Sequence, residues 1–108
     1  MNMQIMVIDD HDANRRVMTQ RLSKMNPFWS GTQYKNAEDA VSAAKNKTFH
    51  LIIMEEQFGP GMMTGTEAIQ AIRANEEASC QTRSVIVSST ATLTELPPGE
   101  NRRGLGYT

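Results

Sequence analysis

The chain has 108 residues, with 11 Lys and Arg against 12 Asp and Glu and a net charge of −1. That length suits one domain burying roughly 65% of its unfolded surface, and the near-neutral charge leaves no footprint for nucleic acid or a membrane surface. No apolar run approaches the roughly 20 residues of a transmembrane helix and no signal-peptide pattern opens the chain; the single cysteine, Cys80, excludes an intrachain disulfide, so a reducing cytoplasm is expected.

Residues 3–8 form a short apolar run that ends in acids and reads as a buried strand. Asp12 stands where it would N-cap a helix over residues 13–25, with Val17, Met18, Leu22 and Met25 at near-helical spacing and Asn26-Pro27 as its stop. Residues 29–34 make a weaker strand. Asn36 is placed to cap a second helix over 37–45, with Ala40, Val41 and Ala44 facing inward. The second strong apolar run, 49–54, again ends in acids, Glu55 and Glu56. Phe58-Gly59-Pro60-Gly61 must be a loop, which with Met62 and Met63 reads as a mobile lip over the site; the two methionines make a partner-binding patch or, the stronger reading, belong to a loop covering its own core. Thr64 and Glu67 have capping-box spacing and open a helix over 65–75, with Ala68, Ile69 and Ile72 on one side. Val85-Ile86-Val87, within residues 84–88, is the third apolar strand and runs into Ser88-Ser89-Thr90. Residues 93–108, with Pro97-Pro98-Gly99, read as an irregular tail. Eight methionines are soft core fillers or surface residues rather than a sign of a cofactor.

Alternating strands and helices, with near-continuous apolar strands, point to an α/β domain with a parallel sheet covered on both faces. Ligands of such sheets bind beyond the carboxyl ends of the strands. That end gathers Asp9, Asp10, Glu55, Glu56 and the hydroxyls of residues 88–90. Clustered carboxylates repel one another, and a hard dication such as Mg²⁺ is the cofactor that offsets them best.

At this point the residues resemble a family. Val7-Ile8-Asp9-Asp10-His11-Asp12-Ala13-Asn14-Arg15-Arg16-Val17 is similar to the first strand, acidic pair and first helix of two-component response-regulator receiver domains. Phe49-His50-Leu51-Ile52-Ile53-Met54 resembles their third strand, and Gly65-Thr66-Glu67-Ala68-Ile69-Gln70-Ala71-Ile72-Arg73 the helix after their active-site loop. The resemblance spans roughly residues 3–92. It implies a flavodoxin-like, CheY-like three-layer sandwich in which a strand-end Asp accepts a phosphoryl group from a histidine kinase. It further implies that Asp10 holds Mg²⁺ directly, that Asp9 holds it through water, and that the Gln57 carbonyl completes the protein ligands. Thr90 is the implied switch hydroxyl, with Ser89 as the alternative.

Three departures from the family bear on function. The acceptor position holds Glu55, which also falls among the implied metal ligands. Its extra methylene moves the carboxylate about 1–1.5 Å outward, enough to spoil in-line attack; Glu55 then either mimics a phosphorylated state or marks a decayed site. The loop after it is longer than the family's. No lysine follows Lys47, and Gly104-Leu105-Gly106-Tyr107-Thr108 only approaches the family's fifth strand, so the fifth strand and helix are expected to be missing. A naturally short protein and a fragment of a longer one both fit. An unfinished edge invites a homodimer or a completing partner.

The expected function is therefore a signalling module that is not phosphorylated and binds a protein partner, a histidine kinase or an output domain. The alternatives are a working phosphoacceptor and, through Asp10-His11-Asp12, a Mg²⁺-dependent phosphohydrolase of the haloacid-dehalogenase type, which lacks the downstream lysine and acidic pair it would need. His11 reads as a neighbour of the acids rather than a ligand, and His50 as solvent-facing. Cys80 has no neighbouring base in sequence to activate it, and Arg102-Arg103 is too small a patch for nucleic acid.

Overall fold

Strands as apolar as Ile5–Ile8 and Leu51–Met54 must be covered on both sides, and in the computed structural model, which describes residues 3–88, they are central. The elements are β1 (Gln4–Ile8), α1 (Asp12–Met25), β2 (Ser30–Tyr34), α2 (Ala37–Asn46), β3 (Leu51–Met54), α3 (Gly65–Ala78) and β4 (Val85–Ser88). All strands are parallel, in the order β2-β1-β3-β4. Ile8 lies opposite both Tyr34 and Met54, and Met54 opposite Ser88, so the strands end level.

Side chains alternate across the sheet and divide the core in two. Met6, Ile8, Ile52, Met54 and Ile86 face α2 and α3, where Ala37, Ala40 and Ala44 bring the α2 backbone close. Ile5, Val7 and Ile53 face Met18 and Leu22 of α1. This is the expected flavodoxin-like, three-layer arrangement, with four strands and three helices among the described residues and no strand after β4 among them. The expectations for Ser89, Thr90 and the tail 93–108 lie outside the described residues.

The sequence expectations hold for the order of elements and need correction at α1. His11, not Asp12, occupies the N-cap, without a side-chain cap bond, and Asp12 is already helical. The buried stripe is Arg15, Met18 and Leu22, while Val17 and Met25 are 47% and 59% exposed. Arg15 takes an inward position because its charge has acceptors there, described below. Asn36 does cap α2, accepting from the Asp39 amide at 2.8 Å, and the helix runs one residue beyond expectation. α3 runs three residues further, to Ala78. β3 starts at Leu51, although Phe49 is buried in the core. Phe58 is also buried and Met63 packs against the core, so the 58–63 loop does cover its own core; Met62 faces solvent. The Met63 amide donates to Glu38 of α2 at 3.3 Å.

One largely buried charge pair ties α3 to Ser84, the residue before β4. Arg73 Nη1 donates to Glu76 Oε1 at 2.8 Å and to the Ser84 carbonyl at 2.7 Å. Glu76 Oε2 accepts from the Ser84 amide at 3.0 Å and its hydroxyl at 2.7 Å. Burial opposes the charge on Glu76, but the Ser84 amide, the Arg73 guanidinium and the Ser84 hydroxyl outweigh it and hold the carboxyl below its ordinary 4.5. A lowered native pKa stabilises the fold fully above the unfolded value, and that contribution disappears as pH falls through the native value. Glu76→Gln is expected to lose about 1.5–3 kcal/mol of stability at neutral pH. Urea denaturation across pH should show the gap to the parent closing below pH 4.5.

Candidate functional site

The level strand ends place the β1–α1 turn beside the β3–α3 loop, and Asp9 sits between them. It is 4% exposed. Its amide donates to the Tyr34 carbonyl at 3.2 Å, its carbonyl accepts from Arg15 Nη1, and its Oδ1 accepts from the His11 amide at 2.9 Å. A buried carboxylate is thus held by fixed donors rather than by water. Asp10 is the outer member of the pair, with 39% of its side chain exposed. His11 Nδ1 lies 3.2 Å from Asp9 Oδ1 and 3.0 Å from Asp10 Oδ1. The Asp9 hydrogen bond first, then the charges of Asp10 and Asp9, raise the His11 pKa above its ordinary 6.5, with a smaller contribution from Glu55.

Among the described residues, Asp9, Asp10 and His11 form a group whose donor atoms all lie within 4.8 Å of one another. Glu55 and Asp12 stand outside it. The Asp12 carboxylate is engaged by Arg15 Nη2, whose hydrogen bond and charge hold its pKa below 3.8. Asp12 is thus paired with Arg15 and lies outside the Asp9–Asp10–His11 group. Asp12, Arg15 and Arg16 instead line a cleft with Gln33 and Lys35 of the β2 end.

Glu55 follows β3 directly, and its amide donates to the Ile8 carbonyl at 3.0 Å. Its Oε1 turns back onto the Glu56 amide at 2.9 Å. Glu56 closes the loop on α3: its Oε1 accepts from both the amide and the hydroxyl of Thr66 at 2.8 Å, and its carbonyl accepts from the Gly65 amide at 2.9 Å. The Thr64–Glu67 capping box is formed as its spacing foretold. Gln57 follows, exposed, in the loop.

The acids at the β1 end suit a hard dication. One carboxylate is fixed and one is solvent-facing, which leaves room for the waters that Mg²⁺ keeps. Sequence reading found both aspartates. It also placed His11 beside the acids, where the ring is found. It missed the inward Arg15, for which the Asp12–Arg15 spacing of three residues was the available signal.

The family model for "Response regulator receiver domain" matches residues 5–97. No curated protein matches this chain. The receiver domain of the histidine kinase CKI1 from Arabidopsis thaliana, complexed with Mg²⁺ and BeF₃⁻, is 25% identical with a TM-score of 0.71, over 94% of this chain and 72% of that one. The receiver domain of Ssk1 from Saccharomyces cerevisiae, co-crystallised with the histidine phosphotransfer protein Ypd1, is 26% identical with a TM-score of 0.70, over 81% of this chain and 62% of that one. A Vibrio cholerae chemotaxis protein, CheY4, shares the fold at 19% identity and a TM-score of 0.68, over 96% and 78%. The chain also spans only 64% of a variant form of the CKI1 receiver, so it covers less than two thirds of some of these relatives.

Gly65 has a specific steric reason to be glycine. A Cβ there would lie 2.2 Å from the Glu55 carbonyl oxygen and 3.0 Å from Glu56 Cα. Neither atom is free to move, because both belong to backbone held by β3 and by the Glu56–Thr66 bonds. Gly65→Ala is expected to lower stability by about 1–3 kcal/mol. Backbone NMR should show its shift changes concentrated at residues 55, 56 and 66 rather than across the sheet.

Proposed function

Because this chain belongs to the response regulator receiver domain family, we propose that it serves a two-component phosphorelay as a cytoplasmic signalling module that is not phosphorylated at Glu55 and works by docking to a protein partner. Glu55 carries this reading. Acyl phosphate formation needs an in-line carboxylate oxygen beside the cation, and this longer side chain bends back to its neighbour's amide instead. Asp9 and Asp10 are the residues that would hold Mg²⁺, with the Gln57 carbonyl as a third ligand and Thr90 or Ser89 as the switch hydroxyl. When bound, the ion supplies charge compensation for the acidic end. The chain's own residues supply the fixed inner carboxylate and the solvent-facing outer one.

Partners follow from likeness. The Ssk1 receiver was crystallised on a histidine phosphotransfer protein. A kinase, a phosphotransfer protein or an output domain is the corresponding partner class for this chain.

Incubation of the protein with Mg²⁺ and acetyl phosphate, followed by intact-mass measurement, is expected to show no hydroxylamine-labile adduct. A labile adduct on the parent overturns the reading and restores the phosphoacceptor alternative. Labelling of Glu55→Asp alone would place the fault in the acceptor's length. Labelling of neither would place it in the altered loop.

A second copy of the chain is a further partner in this reading. Among the described residues β4 is an edge strand, and Val85 on it is 50% exposed. Light scattering coupled to size exclusion is expected to show a concentration-dependent dimer, and a monomer at all concentrations removes self-pairing.

A further inference from the structure

We infer that Arg15 is a positioning residue for the divalent-cation site at Asp9 and Asp10, fixing the peptide plane that joins the two residues. The inference rests on the cation site proposed above. The Arg15 side chain, on the first turn of α1, is 9% exposed, against 39% for Asp10 and 68% for His11 and Asp12. A buried guanidinium is costly unless its donors are engaged. Two are, on different partners: Nη1 holds the Asp9 carbonyl and Nη2 the Asp12 carboxylate. The arginine backbone is held as well, its amide donating to the His11 carbonyl at 3.1 Å and its carbonyl accepting from Thr19 Oγ1 at 2.7 Å.

The consequence lies in the geometry of the peptide bond. The Asp9 carbonyl and the Asp10 amide share one rigid plane. Holding that carbonyl therefore sets the direction in which Asp10 leaves the turn. The Asp9 amide, bonded to Tyr34, and the Asp9 carboxylate, bonded to the His11 amide, fix the other side of the same unit. Without the guanidinium the Asp9 carbonyl loses its donor, and the plane is free to rotate and shift Asp10 relative to the fixed Asp9. A planar fork reaches two acceptors at once; an ammonium on a flexible stem does not.

A positive charge near the acids also repels a cation, so positioning and repulsion predict opposite signs for its removal. Mg²⁺ titrations of the full chain, followed by the amide NMR shifts of Asp9, Asp10 and His11, separate them. Arg15→Lys keeps the charge and Arg15→Met removes it. Positioning predicts that both variants bind Mg²⁺ about tenfold more weakly than the parent. Parent-like binding by Arg15→Lys with tighter binding by Arg15→Met means that the arginine acts through charge alone and overturns the inference. Unchanged binding in both variants overturns it too, while the cation site stands. A parent that shows no Mg²⁺-dependent shifts removes the site and the inference together. Should Arg15→Met fail to fold by circular dichroism, Arg15→Lys carries the comparison.

Discussion

The end of a central strand buries both the carboxylate and the carbonyl of Asp9, and each needs a donor in place of water: the His11 amide and ring serve the carboxylate, and Arg15 serves the carbonyl. That requirement organises the acidic end of the domain. It draws Arg15 inward on α1, displaces Val17 from the buried stripe, and leaves Asp12 as the arginine's second anchor instead of a helix cap. It also explains why His11 can occupy the N-cap without a side-chain cap bond. Its amide serves the Asp9 carboxylate, and its ring faces both acids. Charge compensation, not helix propensity, decides how α1 begins.

The opposite wall of the site obeys a steric constraint. The N-terminus of α3 approaches the Glu55 carbonyl so closely that only a hydrogen fits on Gly65. Glu56 then caps the approach by bonding Thr66 twice. The two consecutive glutamates have separate tasks. Glu56 ties the loop to the helix, and Glu55 occupies the position where the family resemblance places a phosphoacceptor.

Element order, the central apolar strands, the α2 cap and the α3 capping box were legible in the residues. Each depends on local chemistry: hydrophobic runs, one amide-accepting side chain, or a spacing of three. The errors fell at α1, where a periodicity count favours Val17 and Met25 over Arg15. Such a count treats every charge as outward-facing. It has no means of knowing that a carbonyl and a carboxylate from other turns of the chain converge on one inward position.

By itself, the sequence determined that strands and helices alternate and that acids end the strands, with Asp9 after the first apolar run and Glu55 after the second. These are matters of residue type and order. Only the tertiary structure decided which acids meet. Parallel register sets Ile8 level with Met54 and so brings Asp9 beside Glu55's strand end. The buried guanidinium then selects Asp9, Asp10 and His11 as one group and takes Asp12 out of it. The physical reason is that compensation of a buried charge acts through space, between groups whose distance is set by packing and not by their separation in the chain.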